Sequence, residues 1–166
     1  MLDPWCEEAD VTVCFTGHRF IPAVELSGVR KRLEDTVSDL YRQGYTRFIC
    51  GGALGFDTLA ALSVLDFRKE HPDVRLLLAV PCADQDESWN PSDRKTYRKI
   101  LESADGVQVL SDRYTHGCMQ TRNRCMVDHS AVCVAWLTKL GRSGTMYTVR
   151  YAMSRELRII NLALES

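Results

Sequence analysis

Three times in this chain a short apolar run breaks at a glycine-bearing turn and resumes as a helix-like pattern. The runs are 11–15, 48–50 and 131–137. The turns are Thr16-Gly17-His18-Arg19, Gly51-Gly52-Ala53-Leu54-Gly55-Phe56-Asp57 and Gly141-Arg142-Ser143-Gly144-Thr145. Apolar runs of this length read as strands buried on both faces, as in a parallel sheet. In an open parallel sheet such turns collect along the carboxyl edge of the strands, where ligands bind. Glycine lets a backbone approach a phosphate closely, and a helix N-terminus offers free N–H groups and a favourable dipole. Three such junctions in one chain argue for a nucleotide-like ligand.

The remaining segments continue the alternation. Strands are expected at 11–15, 47–50, 74–80, 106–110, 131–137 and 158–162. Helices are expected at 25–43, 53–69, 93–103, in a segment ending near Asp128, and at 145–155. In the first helix Val29, Leu33, Val37 and Leu40 share a face and Gly44 is the stop. In the second, Leu59, Ala60, Leu62 or Ser63, and Phe67 face inward, and His71-Pro72 ends it. The order predicts an α/β fold: a doubly wound, mainly parallel sheet of about six strands with helices on both faces, Rossmann-like, with right-handed crossovers. No linker or repeat interrupts it, so 1–166 reads as one domain, with 1–10 as an N-terminal extension.

Charge and cysteine usage narrow the function classes. With 21 basic and 22 acidic residues the net charge is −1, and no basic stripe stands out. Both argue against a general nucleic-acid binder while leaving room for a local cationic pocket. The seven cysteines form no C-x-x-C pair, and Cys14, Cys50 and Cys133 sit in apolar runs as small hydrophobes. The acidic start lacks a signal-peptide pattern, and no apolar stretch nears the ~20 residues of a membrane span. A cytoplasmic protein without membrane contact is expected.

Each turn carries candidate ligand residues. In the first these are Thr16, Gly17 and Arg19, whose guanidinium can fork onto a phosphate; His18 could act as acid or base. In the second, Gly51 and Gly52 can form an anion-binding nest, Ala53 adjoins it, and Gly55 permits close helix packing. Asp57 either complements the helix dipole or accepts from a ribose hydroxyl or base edge. The spacing matches neither the dinucleotide fingerprint nor a P-loop. A Gly52→Glu change is expected to spare the fold and repel phosphate. In the third, Ser143, Gly144 and Thr145 suit a phosphate, although Ser143 could simply cap the helix. The loop after the third strand offers Pro81, Cys82, Gln85 to read a base edge and Trp89 to stack on it. Arg122 and Asn123 lie on a helix that starts near the same edge. His116, Cys118, Cys125 and His129 are too loosely spaced for a zinc set, and no metal is expected.

Taken together, F-T-G-H-R at 15–19, G-G-A-L-G-F-D at 51–57, P-C-x-x-Q-x-x-x-W at 81–89, G-C-M-x-x-R-N-x-x-M-V-D at 117–128 and S-G-T at 143–145 resemble the bacterial YpsA-like family. That family belongs to the SLOG superfamily of Rossmann-like proteins, with the DprA-type DNA-processing proteins and the LOG phosphoribohydrolases. The resemblance covers about 11–162. It implies a nucleotide-derived ligand (a nucleotide, NAD or an ADP-ribose derivative) and no required cofactor. It carries a ligand role to Gly17, Arg19, Gly51, Gly52, Gly55, Asp57, Gln85, Trp89, Arg122, Asn123, Gly144 and Thr145.

One departure matters. The LOG enzymes carry P-G-G-x-G-T-x-x-E with a catalytic Glu; here Thr148 stands at that place. A charge aimed at the transition state is worth orders of magnitude in rate. The expected function is therefore nucleotide binding or sensing without strong catalysis. The alternative is an N-glycosidic hydrolase using Arg122 with an acid that the sequence does not assign, Asp57 and Asp128 being the candidates. A second alternative is a DprA-like binder of single-stranded DNA, which the charge balance disfavours. SLOG relatives often pair, so a homodimer with Met119, Met126 or Trp136 at the interface is a further expectation; the sequence names no protein partner.

Overall fold

The alternation produces a six-stranded sheet in the computed structural model, which describes residues 6–163. The strands are β1 (Thr12–Gly17), β2 (Arg47–Cys50), β3 (Arg75–Val80), β4 (Gly106–Val109), β5 (Val132–Trp136) and β6 (Arg158–Asn161). The helices are α1 (Leu26–Arg42), α2 (Phe56–Glu70), α3 (Pro91–Ser103), α4 (Cys118–Asp128) and α5 (Gly144–Ser154). All ladders are parallel, in the order β4-β3-β2-β1-β5-β6. The chain therefore builds outward from β1 to β4 and then returns to place β5 on β1's other side. That reversal opens a crevice beyond the carboxyl ends of β1 and β5, the topological switch point of a doubly wound sheet.

Side chains alternate between two layers, as strand geometry requires. Val13, Phe15, Phe48, Leu76, Leu78, Val80, Val132 and Val134 pack with Val29, Leu33, Val37 and Leu40 of α1, with Phe56, Ala60 and Val64 of α2, and with Ile100 of α3. Cys14, Ile49, Leu77, Ala79 and Cys133 pack the other way, under Met126 and Val127 of α4 and Ala152 of α5. The cysteines of the apolar runs are buried in these layers.

Element ends follow local chemistry. α2 starts at Phe56, later than expected, because Gly55 takes φ +78 before it. α3 starts at Pro91, earlier than expected, because Asn90 caps the amide of Asp93 at 2.9 Å and proline suits the first helical position. In α2 Ser63 faces the core while Leu62 is exposed. Of the expected extension, residues 1–5 lie outside the described residues. Cys6–Val11 form a 3-10 turn tied to the sheet: the Thr12 hydroxyl donates to the Glu8 carbonyl at 2.6 Å, and Glu8 pairs with Arg47 at 2.6 Å. Among the described residues no helix is long and apolar enough to cross a membrane.

Candidate functional site at the strand reversal

A cavity of about 210 Å³ sits in the crevice beyond β1 and β5. Phe15, Thr16, Gly17, His18 and Arg19 line it from the first turn, Ala53 and Asp57 from the second, and Ser143, Gly144 and Thr145 from the third. Met119, Arg122, Asn123 and Met126 of α4 close it. The topology thus gathers ten of the candidate ligand residues around one space. A second cavity of about 280 Å³ adjoins it and shares Arg19 and Met119. Its other walls include Cys82, Asp84, Gln85, Glu87, Trp89 and Tyr114. Each cavity alone is smaller than the ~300 Å³ of an ordinary small-molecule site; joined across the shared residues they reach it.

Arg122 is the cavity's main charge. It is 4% exposed. Its Nη1 donates to the Gly51 carbonyl at 2.6 Å, and its Nε donates to Asn123 Oδ1 at 2.8 Å. Among the described residues its Nη2 has only the Met119 sulfur at 3.7 Å, so donor capacity is left for an anion. Asp57 accepts from the Ala53 amide at 3.2 Å. Burial raises its carboxyl above the usual range, against the pull of Arg122, the Ala53 amide and Arg19. Burial likewise lowers the Arg122 guanidinium, with Asp57 opposing. Both shifts express the cost of holding charge away from water.

The third turn supplies backbone donors. Ser143 caps α5, its hydroxyl accepting from the Met146 amide at 3.0 Å. The first amides of a helix have no intrahelical partner, and Gly144 and Thr145, the first residues of α5, line the cavity. Thr148 does not reach it: the side chain is fully buried and its hydroxyl donates to the Gly144 carbonyl at 2.9 Å.

His18 is committed elsewhere. Its Nε2 accepts from the Thr138 amide at 3.2 Å, and its ring stands edge-on to Trp136 at 5.6 Å. Burial, then Lys139, lowers its pKa from the ordinary 6.5. The neutral ring therefore tethers the β5–α5 loop, and Nε2 is not free to act as a base.

Other sequence candidates take different places. Gly51, Gly52 and Gly55 line neither cavity; protein atoms occupy the space above them. A side chain at Gly51 would meet the Arg122 guanidinium, one at Gly55 would run into the Arg19 backbone, and one at Gly17 would enter the Phe56 ring. Gly52 takes φ +71, and a Cβ there would stand 3.0 Å from Tyr97. The expectation that Gly52→Glu spares the fold is thereby corrected, because that backbone conformation and Tyr97 both resist a side chain. Pro81 is buried outside the lining. Asp128 faces away, bonded to the Tyr151 hydroxyl at 2.7 Å and paired with Arg155 at 3.5 Å. Met126 and Trp136 are 1% and 2% exposed, so neither offers an interface as it stands. Burial, then Asp84, pushes the Cys82 thiol up to about 12, which leaves it a poor nucleophile. Among the described residues no three His, Cys, Asp or Glu side chains converge on a metal position.

Two features escaped the sequence reading. Tyr97 of α3 is buried and accepts from Gln85 Nε2 at 3.2 Å; Trp89 stands edge-on to its ring at 5.1 Å. Gln85 Oε1 is buried with no hydrogen-bond partner among the described residues. The helical spacing of Tyr97 and Ile100 was the available signal. The second feature is a basic stripe, contrary to the sequence reading: Arg94, Lys95, Arg98 and Lys99 line a groove of about 700 Å³ beside Trp89. Asp86 pairs with Arg94 at 3.5 Å and with Arg98 at 3.4 Å.

The fold and these motifs define a Rossmann-like protein of the SLOG type. The YpsA family model, described as the YspA SLOG family, matches residues 22–159, and the chain belongs to that family. It is 32% identical over 118 residues to the uncharacterized SPbeta prophage-derived protein YoqJ of Bacillus subtilis strain 168, covering 64% of this chain and 68% of that one. It is also 32% identical over 94 residues to UPF0398 protein BH1768 of Halalkalibacterium halodurans, covering 57% of this chain and 50% of the relative. The match thus spans about half the length of that relative. Among solved structures, DNA processing protein A from Helicobacter pylori superimposes with a TM-score of 0.66 at 19% identity, over 95% of this chain and 67% of that one. At that identity the likeness shows the fold alone.

Proposed function

We propose that the protein binds a nucleotide or ADP-ribose-like molecule in the paired cavities and releases it unchanged, as a sensor does. The observation that carries this reading is the meeting of a buried guanidinium with the first amides of α5 at the switch point. Such a set of donors suits phosphate. Asp57, across the same space, can accept from ribose hydroxyls. Gln85, Trp89 and Tyr114 offer a polar edge and aromatic faces for a base. The burial of Thr148 supports binding over turnover, since that position delivers no group to the ligand. Asp57 is the one carboxyl among the described residues lining the first cavity, and Asp84 and Glu87 line the second, so a hydrolase would have to rest on one of these three.

The test is thermal unfolding with AMP, ADP, ATP, NAD, ADP-ribose and cyclic ADP-ribose, each mixture being recovered for mass spectrometry. Ligand at a hundred times its Kd adds about 2.7 kcal/mol, a rise of roughly 5–11 °C for a domain of this size. A rise with intact ligand supports the proposal. Released base or ribose phosphate replaces it with N-glycosidic hydrolysis. No rise with any member of the panel contradicts it.

The α3 groove favours a second reading. Lys95 and Lys99 beside an indole suit a single strand of nucleic acid, which combines backbone charge with stacking bases, although Asp86 offsets Arg94 and Arg98, and Glu102 shares the lining. The fold neighbour from Helicobacter pylori binds single-stranded DNA. A salt-dependent mobility shift with an oligonucleotide, lost in Lys95→Ala/Lys99→Ala, supports this reading; no shift at low salt removes it.

A further inference from the structure

The wall formed by Ser143 and Gly144 has two sides. On the inner side lies the cavity holding Arg122. On the outer side the same two residues border a recess of about 770 Å³ between α4 and α5, lined also by Gln120, Arg142, Tyr147, Arg150 and Tyr151. A ligand seated on the amides of Gly144 and Thr145 has two directions in which to extend: toward Trp89 or over this lip.

The charges of the two directions differ. The Trp89 cavity sets Asp84 and Glu87 against Arg19, which suits a base and repels a further phosphate. The outer recess has Arg142 and Arg150 and, among the described residues, no carboxylate in its lining. The nearest acid on α4, Asp128, is taken up by the Tyr151 hydroxyl and Arg155. Arg124 adds a third cation at the rim, where it donates to the Tyr147 hydroxyl at 2.8 Å. Gly144 leaves the passage open, because none of the described residues beyond its own neighbours in the chain lies within 4 Å of where its Cβ would stand. Tyr147 and Tyr151 bring aromatic surface to the same recess.

We propose that Arg142 and Arg150 form a second phosphate subsite, continuous with the first across Ser143 and Gly144, so that the ligand is a nucleoside carrying at least two phosphates rather than one. This rests on the nucleotide reading above and adds a direction to it: the base lies toward Trp89, and the distal phosphate with whatever it bears lies over α5. Arginine suits the role because its fork engages phosphate oxygens in pairs.

Calorimetric titration of the wild-type chain and of Arg142→Ala/Arg150→Ala with AMP and ADP-ribose tests it. Both arginines are exposed, so the double variant keeps its fold, checked by its Tm. The wild type should bind ADP-ribose at least about tenfold more tightly than AMP. In the double variant ADP-ribose should fall to the AMP level, with AMP itself unchanged within about twofold. Arg150→Lys with Arg142 intact should keep part of the advantage, since charge remains without the fork. If AMP binds and ADP-ribose gains nothing, or if its gain survives the double variant, the subsite is wrong and the nucleotide site stands. If neither compound binds, the underlying reading falls as well.

Discussion

The first two glycine turns and the third look alike in sequence and are opposite in space. Around Gly17, Gly51 and Gly55 the room a side chain would need is filled by the protein: the Phe56 ring, the Arg122 guanidinium and the Arg19 backbone. The Phe56 amide also donates to the His18 carbonyl at 3.2 Å, locking the first turn to the second. Above Gly144 there is open space. A glycine at a strand-to-helix junction can thus serve two masters, interior packing or ligand approach. Here the first two turns build the wall and the third presents donors to whatever lies against it.

Exchanging the glycines breaks this comparison most forcefully. Gly55→Ala puts a methyl into a backbone carbonyl at φ +78 and should cost at least about 3 kcal/mol, or roughly 6–12 °C in Tm. Gly17→Ala should cost a similar amount through Phe56. Gly144→Ala should leave Tm unchanged or slightly higher, since alanine suits a first helical turn, yet weaken binding of phosphorylated ligands. Thermal unfolding of the three variants, with AMP titrated into the third, reads all of this. A stable Gly55→Ala protein would undo the packing account.

Removing Arg122 probes where the two regions meet. It bonds to the second turn and faces the third, so Arg122→Ala should lose both stability and binding. The lost hydrogen bonds of a buried charge put the stability loss at about 1.5–3 kcal/mol. The affinity loss should fall on phosphorylated ligands and spare bare nucleosides. Equal losses for AMP and adenosine would show that Arg122 does not engage phosphate.

The smallest expected effect is a pH dependence of the tether between the first and third turns. The folded pKa of His18 lies below its ordinary 6.5. Its contribution to stability is therefore present above pH 6.5 and is lost as pH falls through the folded value. Protonation would cost the bond from the Thr138 amide. Protection factors of the amides in 138–143, in which the intrinsic pH dependence of exchange is divided out, should fall as pH drops below 6.5 in the wild type and be insensitive to that change in His18→Phe. Protection that ignores pH in the wild type would show that the tether is not the imidazole.

Local signals carried most of the fold. Alternating apolar runs and helical stripes gave strands and helices whose ends moved by a few residues, where Gly55, Asn90 and Pro91 imposed their own geometry. The gathering of Arg19, Asp57, Arg122 and Thr145 followed from topology alone, because strand order decides which loops share an edge. What remained hidden was long-range. Nothing in the sequence near Gly51 says that a guanidinium from residue 122 lies over it. Nothing near Thr148 says that its hydroxyl turns back onto Gly144. Trp136 and Met126 read as surface candidates because burial depends on neighbours distant in the chain. The stripe of Arg94, Lys95, Arg98 and Lys99 was visible as letters, but a net charge near zero masked it.

The most direct measurement is the amide NMR spectrum of the ¹⁵N-labelled chain titrated with AMP. The account predicts that the resonances of Gly144 and Thr145 move first and furthest, together with the Arg122 side chain, while those of Gly52 and Gly55 move little. Largest shifts at Gly51 and Gly52, or none at the N-terminus of α5, would contradict it.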